Sequence, residues 1–381
     1  MESKTAKKLK ILLAIRSLDF GGAERQWVLL AKELAKCEEV ELLLCTIYGG
    51  GKLEDEIAGI PHICLNKKGR LDFGFLLRYY KEIKAFNPHC IYAFMPEMNI
   101  FSLLCAIFLK SKVVFGFRSS AINVKKLPLA SKLYFYTQKF LSSYANAIIC
   151  NSHDAIDFYK SKGYCMDKAF VVHNGIDTQR FLPRDSYALK EELGIKSNAF
   201  VFGISARMNP VKDYPLFAQV AKEFLENCKG KDTDTIAFVS LGKTNPEILH
   251  ACTEILKPYS IHFLGVKNDI ELYYPLFDCI VSTSYTESFS NSIAEGMACG
   301  CIPIVSDVGE SKIIANFNQD SYRFYFTPKD SKGALDCLQS LYALKDSNTL
   351  LMLKKQAREH ILKEFSPKSM RTQTLQILKG L

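Results

Sequence analysis

The chain of 381 residues has one tryptophan, no low-complexity tract and no apolar run near the ~20 residues that a membrane-spanning helix requires. Its most apolar helical stretch, Ile100 to Leu109, is about half that length, so no transmembrane helix is expected. Short internal repeats are missing as well, which excludes solenoid and fibrous architectures. The thirteen cysteines include no CxxC pair and sit mostly among apolar neighbours, as in Leu104-Cys105-Ala106 and Ile149-Cys150. They read as reduced core residues of a cytoplasmic protein. Cys299 and Cys301 flank a single Gly with no further Cys or His at ligand spacing, which favours packing over a metal centre. The apolar segment Ile11 to Ile15 that follows the Lys-rich Met1 to Lys10 is too short for a signal-peptide core.

The chain has 48% hydrophobic and 23% charged residues, and at this length two hydrophobic cores are the default. Charge is uneven. Met1 to Asp185 holds 27 Lys and Arg against 18 Asp and Glu, a net +9, whereas the remainder balances at 22 against 22. A one-sided basic surface faces anionic lipid, nucleic acid or a phosphorylated substrate. The absence of any nucleic-acid-reading motif argues against the second. Two basic, aromatic-interleaved surfaces, Lys67-Lys68-Gly69-Arg70 with Arg78, Lys81 and Lys84, and Lys125-Lys126 with Lys132 and Lys139, are either membrane contacts or ordinary solvated helix faces.

Strand-length apolar runs alternate with helix-length amphipathic segments, the pattern of α/β layers built on parallel sheets. In the first half the predicted strands are Lys10–Ile15, Val40–Thr46, His62–Leu65, Cys90–Phe94, Val113–Phe117, Ala147–Cys150 and Phe170–Val172, with helices over Ala23–Lys36, Phe73–Phe86, Asn99–Leu109, Leu129–Tyr144 and Asp154–Lys162. A polar stretch around Pro183 marks a linker. A second series follows: Phe200–Ser205, Ile236–Leu241, Ile261–Leu264, Cys279–Ser282, Ile302–Ser306 and Tyr322–Phe326, then a long helical tail from Lys329. The expected division is 1–183, 184–360, and a terminal helix over 361–381 that packs back on the first domain.

Ligands of open parallel sheets bind beyond the carboxyl ends of the strands, so the loops after strands carry the candidate chemistry. The loop Ser17 to Arg25 contains Gly21 and Gly22, which let backbone approach a ligand at a helix N-terminus, or simply form a tight turn. Arg207 and Lys212, five apart after the strand Phe200–Ser205, could share one diphosphate or be solvated surface cations. The segment Tyr285 to Gly300 carries Glu287 and Glu295, with Ser288, Ser290 and Asn291 as N-cap candidates. Its helix would aim the amides of Asn291, Ser292 and Ile293 at a phosphate. An ionised carboxylate only accepts hydrogen bonds, which suits sugar and ribose hydroxyls. Arg118, at the end of a first-half strand, either binds an anionic substrate or pairs with a nearby carboxylate. Asp232-Thr233-Asp234 has the D-x-D form of metal-holding sugar transferases, but it precedes a strand, at the wrong end of a sheet for a ligand site.

These residues resemble the family-4 retaining glycosyltransferases of the GT-B fold. The resemblance rests on Gly21-Gly22-Ala23-Glu24-Arg25, Asn151-Ser152, Asn174-Gly175-Ile176-Asp177, Arg207 with Lys212, and the E-x7-E motif from Glu287 to Glu295. Within the family the chain is similar to bacterial enzymes that extend lipid-linked or surface-polysaccharide glycans, the PglH type among them. The resemblance implies two facing Rossmann-like domains with a cleft between them. It also implies transfer of a hexose or N-acetylhexosamine from a nucleotide sugar, UDP-linked by family frequency, to a glycan or polyprenyl-diphosphate-linked acceptor, with retention and without a metal or other cofactor.

In that scheme Arg207 and Lys212 neutralise the donor diphosphate, Gly21 and Gly22 approach its phosphates, Glu295 accepts from the ribose, Ser290, Asn291 and Ser292 serve the phosphate, and Glu287 positions the sugar. Many members place a His where this chain has Arg118, and Arg118 is the acceptor-side candidate of the first domain. The surroundings expected are the cytoplasm, with peripheral contact to an anionic membrane surface. Rival readings are a GT-B sugar-nucleotide epimerase and a catalytically inactive sugar-nucleotide-binding protein.

Overall fold

The computed structural model of the chain describes residues 8–381 other than 20, 70, 121, 229–232, 319–321 and 323. Two compact units result, Met1–Gly175 together with Pro367–Leu381, and Ile176–Ser366. The chain therefore passes into the second unit before Pro183, because Ile176 and Phe181 are buried in the second unit's core. Gly175 is held on the first side by Gln26, whose side-chain amide both donates to its carbonyl and accepts from its N–H, each at 2.9 Å.

In the first unit the strands are β1 Leu9–Ile15, β2 Val40–Thr46, β3 His62–Cys64, β4 Cys90–Phe94, β5 Lys112–Phe117, β6 Ala147–Cys150 and β7 Ala169–Val171. The helices between them are α1 Gly22–Ala35, α2 Gly74–Phe86, α3 Pro96–Ala106, α4 Leu129–Leu141 and α5 His153–Ser161. The sheet is parallel in the order β3-β2-β1-β4-β5-β6-β7. Side chains alternate across it: Ile11, Leu13 and Ile15 join one core and Leu12 and Ala14 the other. Burial on both faces is why these strands are continuous apolar runs in the sequence. α3 begins at Pro96, earlier than the predicted Asn99, because proline fits the first helical turn and Met95 turns the chain through a positive φ of 74°.

The second unit contains α6 Tyr187–Glu192, β8 Phe200–Ser205, α7 Tyr214–Asn227, β9 Ile236–Leu241, α8 Pro246–Leu256, β10 His262–Phe263, β11 Cys279–Ser282, α9 Asn291–Ala298, β12 Ile302–Ser306, α10 Ser311–Ala315, β13 Tyr325–Phe326, α11 Ser331–Tyr342 and α12 Asn348–Glu364. Its sheet is also parallel, in the order β10-β9-β8-β11-β12-β13. It too separates two apolar layers, with Phe200, Phe202 and Ile204 on one side and Val201 on the other.

The helical tail expected from Lys329 is present and consists of three helices. Ser347 caps α12 by accepting from Leu350 N, and Pro367 opens α13, Pro367–Lys379. Residues 361–364 finish α12 in the second unit, so the returning element is α13 alone. It lies against α1, with Arg371 3.5 Å from Glu33 and Lys379 2.8 Å from Glu39.

Both units therefore run outward in two directions from a central strand pair, β1/β4 and β8/β11. Such a reversal of strand order opens a crevice at the carboxyl ends of the strands. Among the described residues no helix is long and apolar enough to cross a membrane. All thirteen cysteines are free thiols, and Cys299 and Cys301 are buried.

Candidate active site

In the second unit the loops after β8 and β11, which leave the central pair side by side, carry the charged residues singled out above. The β8 loop is shaped by its own polar side chains. Asn209 accepts from Val211 N at 3.0 Å, and Asp213, at a φ of 43° unusual for a non-glycine residue, caps α7 by accepting from Leu216 N. The β11 loop grips that turn. Thr283 Oγ1 donates to the carbonyls of Lys212 and Asp213 at 2.9 and 3.0 Å, and Tyr285 N donates to Val211 O at 2.8 Å.

This stitching brings Lys212 onto Glu287. Their side chains form an ion pair at 23% and 13% exposure, and Ser284 Oγ donates to the same Glu287 oxygen at 2.9 Å. Arg207 is exposed at the end of β8 and makes no hydrogen bond or ion pair among the described residues. Glu295, about one turn along α9, belongs to a separate set. Tyr274 Oη donates to Glu295 Oε2 at 2.9 Å and lies 3.1 Å from Ser205 Oγ. Tyr274 is fully buried, and burial, followed by the adjacent Glu295 charge, pushes its phenol well above its ordinary pKa. It stays a protonated donor. The two carboxylates thus have different partners and different surroundings.

Two glycines explain how the loops come so close. Gly309 has a φ of 53°, and a Cβ there would lie 2.1 Å from Glu287 O. Gly242, after β9, has a φ of 125°, and its Cβ would lie 2.1 Å from Ala206 O, beside Arg207. Tyr274, Ser284, Thr283, Gly242 and Gly309 were not singled out from sequence. Only Gly242, a glycine directly after a strand, carried a readable signal.

At α9, Ser290 occupies the N-cap position but makes no side-chain cap. Asn291 N donates to Phe289 O at 3.1 Å, so this amide is not aimed outward as expected. Ser292 lies in the first turn of α9.

Gly21, Gly22 and Arg118 belong to the first unit. Gly22 opens α1, with Gly21 as N-cap and no side-chain cap bond; Ser17 Oγ donates to Asp19 Oδ2 at 3.0 Å in the preceding loop. Arg118 donates to Tyr92 Oη at 2.7 Å and to Asn174 Oδ1 at 3.4 Å and stacks 4.3 Å from the Phe94 ring centre. Its pairing is with these neutral groups and not with the carboxylate that one reading expected. Its Nε is shielded from solvent without a hydrogen-bond partner among the described residues. Burial raises the Tyr92 phenol to about 12 although the Arg118 charge pulls it down. Asp232 of the D-x-D segment lies outside the described residues; Asp234 is 3.2 Å from Lys196 at the amino end of β9.

Two parallel, doubly covered sheets of this strand order, with a carboxylate and cation cluster at the switch point of the second, define the GT-B class of glycosyltransferase. Residues 20–180 match Glycosyltransferase Family 4 and residues 199–343 match Glycosyl transferases group 1. The chain belongs to this glycosyltransferase family.

It is 24% identical over 326 residues, 82% of this chain and 81% of the relative, to the UDP-Gal:alpha-D-GlcNAc-diphosphoundecaprenol alpha-1,3-galactosyltransferase of Escherichia coli. It is 26% identical over 303 residues, 74% of each chain, to the N,N'-diacetylbacillosaminyl-diphospho-undecaprenol alpha-1,3-N-acetylgalactosaminyltransferase of Campylobacter jejuni. Among solved structures, Anabaena HepE in complex with UDP superposes with a TM-score of 0.77 at 18% identity, covering 98% of this chain and all of that one (100%). WaaG, a glycosyltransferase of lipopolysaccharide biosynthesis, superposes with a TM-score of 0.64 at 15% identity, covering 97% and 100%.

Proposed function

We propose that the chain transfers a hexose or N-acetylhexosamine from a UDP-sugar to a lipid-linked glycan acceptor in bacterial cell-surface glycan synthesis, with retention at the anomeric carbon and without a metal ion. The observation carrying this reading is the Lys212–Glu287 ion pair in the loops at the β8/β11 switch point, with the exposed Arg207 after β8 and the separate Tyr274–Glu295 pair in the same unit. The lipid-linked acceptor is supported by the diphosphoundecaprenol acceptors named for both relatives. The uridine base is supported by the galactosyltransferase's UDP-galactose donor and by the UDP in HepE.

As the donor bond breaks, negative charge gathers on the departing diphosphate. Arg207, with a planar guanidinium, and Lys212, as a point charge, stabilise that charge in place of a divalent cation. Glu295, steadied by Tyr274, accepts from the ribose hydroxyls. Glu287, held by Ser284, accepts from hydroxyls of the sugar that moves. The membrane-facing work is peripheral.

A thermal-shift panel of nucleotide sugars, each with and without EDTA, tests the donor side, because a true donor stabilises the fold by mass action. A shift with one UDP-sugar that EDTA leaves unchanged is expected. No shift with any nucleotide sugar sinks the reading, and a shift that requires added divalent metal sinks its metal-free part. Proton NMR of the product made from α-linked donor should show an α-linkage; a β-linked product overturns retention.

Glu295→Gln should raise the donor KM by about 10- to 100-fold, the range for a hydrogen bond to a charged group, with kcat little changed. Tyr274→Phe should give a smaller shift of the same kind. An effect of either variant on kcat alone contradicts the ribose role.

A further inference from the structure

One arginine close to Glu295 has no part in the chemistry described so far. Arg180 belongs to the polar segment by which the chain enters the second unit, and that segment is folded by its own groups. Asp177 Oδ1 accepts from the N–H groups of Gln179 and Arg180, each at 3.1 Å, and Phe181 N donates to Asp177 O at 2.8 Å. The turn buries Phe181 and leaves the Arg180 side chain half-buried, its guanidinium carbon 5.4 Å from the Phe181 ring centre.

From there Arg180 reaches the ribose-side carboxylate by two routes. Glu271 lies in a short helical turn, Ile270–Leu272, directly before the turn Tyr274–Leu276. Arg180 Nη2 donates to Glu271 Oε2 at 2.9 Å, a charge-assisted bond between two half-buried groups. Arg184 fastens the same place by donating to Glu271 O at 2.9 Å and to Arg180 O at 3.0 Å. The second route is apolar. Phe181, under the guanidinium, meets the Tyr274 ring edge-on at 5.8 Å, and Tyr274 is the donor to Glu295 Oε2.

Arg180 also acts on Glu295 by charge. Burial works against the arginine cation, yet Glu271, Glu295 and Asp177 together hold its pKa above the ordinary value, so the Glu295 charge is felt at the guanidinium. The attraction is mutual. It stabilises the carboxylate charge on which a strong bond to a ribose hydroxyl depends, whereas Tyr274 steers one oxygen without supplying charge. A side chain that sets the orientation and the field of a ligand-binding group, without touching the ligand, governs how well that group binds.

We infer that Arg180 is a positioning residue for the nucleotide ribose: paired with Glu271 and stacked on Phe181, it fixes the Tyr274 turn and holds the Glu295 carboxylate in place for the ribose hydroxyls. The inference rests on the ribose role proposed for Glu295 and names what governs it.

Calorimetric titration of the full chain with UDP, 2′-deoxy-UDP and 3′-deoxy-UDP tests it. Wild type should prefer UDP to at least one deoxy nucleotide by about tenfold or more, and Glu295→Gln should remove that preference. Arg180→Gln should weaken UDP binding by about three- to tenfold, within the range of coupling between neighbours in one hydrogen-bonded network, and leave binding of that deoxy nucleotide unchanged. Glu271→Gln should act in the same direction. Arg180→Lys, which keeps the charge, should recover most of the loss. In the Glu295→Gln background, Arg180→Gln should cost nothing further.

The inference is overturned if Arg180→Gln binds UDP as wild type does, if it weakens UDP and both deoxy nucleotides equally, or if its effect multiplies fully with that of Glu295→Gln. Thermal unfolding shows whether Arg180→Gln is folded; if it is not, Glu271→Gln is judged by the same three outcomes. Each of these leaves the ribose role of Glu295 standing. A Glu295→Gln protein that keeps the wild-type preference for UDP removes the ribose role itself, and the inference with it.

Discussion

Lys212→Ala is expected to lower kcat/KM by on the order of 10²- to 10³-fold, the usual loss when one preorganised group that stabilises developing charge is removed. The reason lies in what Lys212 faces. In the free protein it neutralises Glu287, and both side chains are largely shielded from water. The donor diphosphate is the stronger anion, so the cation can be shared or exchanged when the donor arrives. In the proposed reaction that interaction grows as charge develops on the leaving group, which is the condition for lowering a barrier as opposed to tightening binding.

Removing Lys212 also leaves the Glu287 carboxylate with Ser284 and without its cation, so some loss of thermal stability accompanies the loss of rate. Glu287→Gln separates the two effects. It keeps a similar shape, should reduce kcat by more than tenfold, and should change donor KM little. The double variant should fall well short of the product of the two single effects, because the residues act as a unit. Steady-state kinetics on the three proteins decides it. Single-variant losses below about threefold, or strict multiplicativity in the double variant, would contradict a shared role.

Gly309→Ala is expected to cost about 2 kcal/mol or more of stability, and to lower activity with it, by displacing the Glu287 loop. The φ of 53° disfavours any side chain, and the added Cβ would meet Glu287 O at 2.1 Å and Ser288 O at 2.9 Å. Backbone atoms cannot swing aside as a flexible side chain can. Glu310 N donates to Ser288 O at 3.1 Å, so the two loops are fastened where the intrusion would occur.

Gly59→Ala is the control. Gly59 has a φ of 86° but nothing within 4 Å of the added Cβ, so it should lose only the left-handed penalty of about 1–2 kcal/mol and keep its kcat. Thermal unfolding and kcat measured well below the transition compare the pair. A Gly309→Ala protein with wild-type kcat would show that the Glu287 loop tolerates displacement.

Much of the architecture was legible because it is buried on both faces. β8, β9, β11 and β12 have the predicted bounds, Phe200–Ser205, Ile236–Leu241, Cys279–Ser282 and Ile302–Ser306. A strand covered above and below must be apolar throughout, and such runs stand out between polar turns. The short edge strands β10 and β13 were drawn too long, since few pairing partners define their ends. The helical tail is present, and its division at Ser347 and Pro367, where new helices start, rests on local signals that a long amphipathic run hid.

The sequence by itself determined the two-sheet class and which charged residues stand in loops after strands, because those follow from hydrophobic period and from residue chemistry at short range; the family followed from the resemblance of its motifs. The tertiary structure alone decided how those residues pair. Lys212 meets Glu287 from 75 positions away, carried there by the adjacency of β8 and β11, and Tyr274 meets Glu295 from 21, where α9 packs on the turn before β11. It also decided that Leu129, Leu133, Tyr136 and Phe140 of α4 face outward, which no helical periodicity can reveal, since an apolar stripe has the same spacing whether it points to a core or away from it.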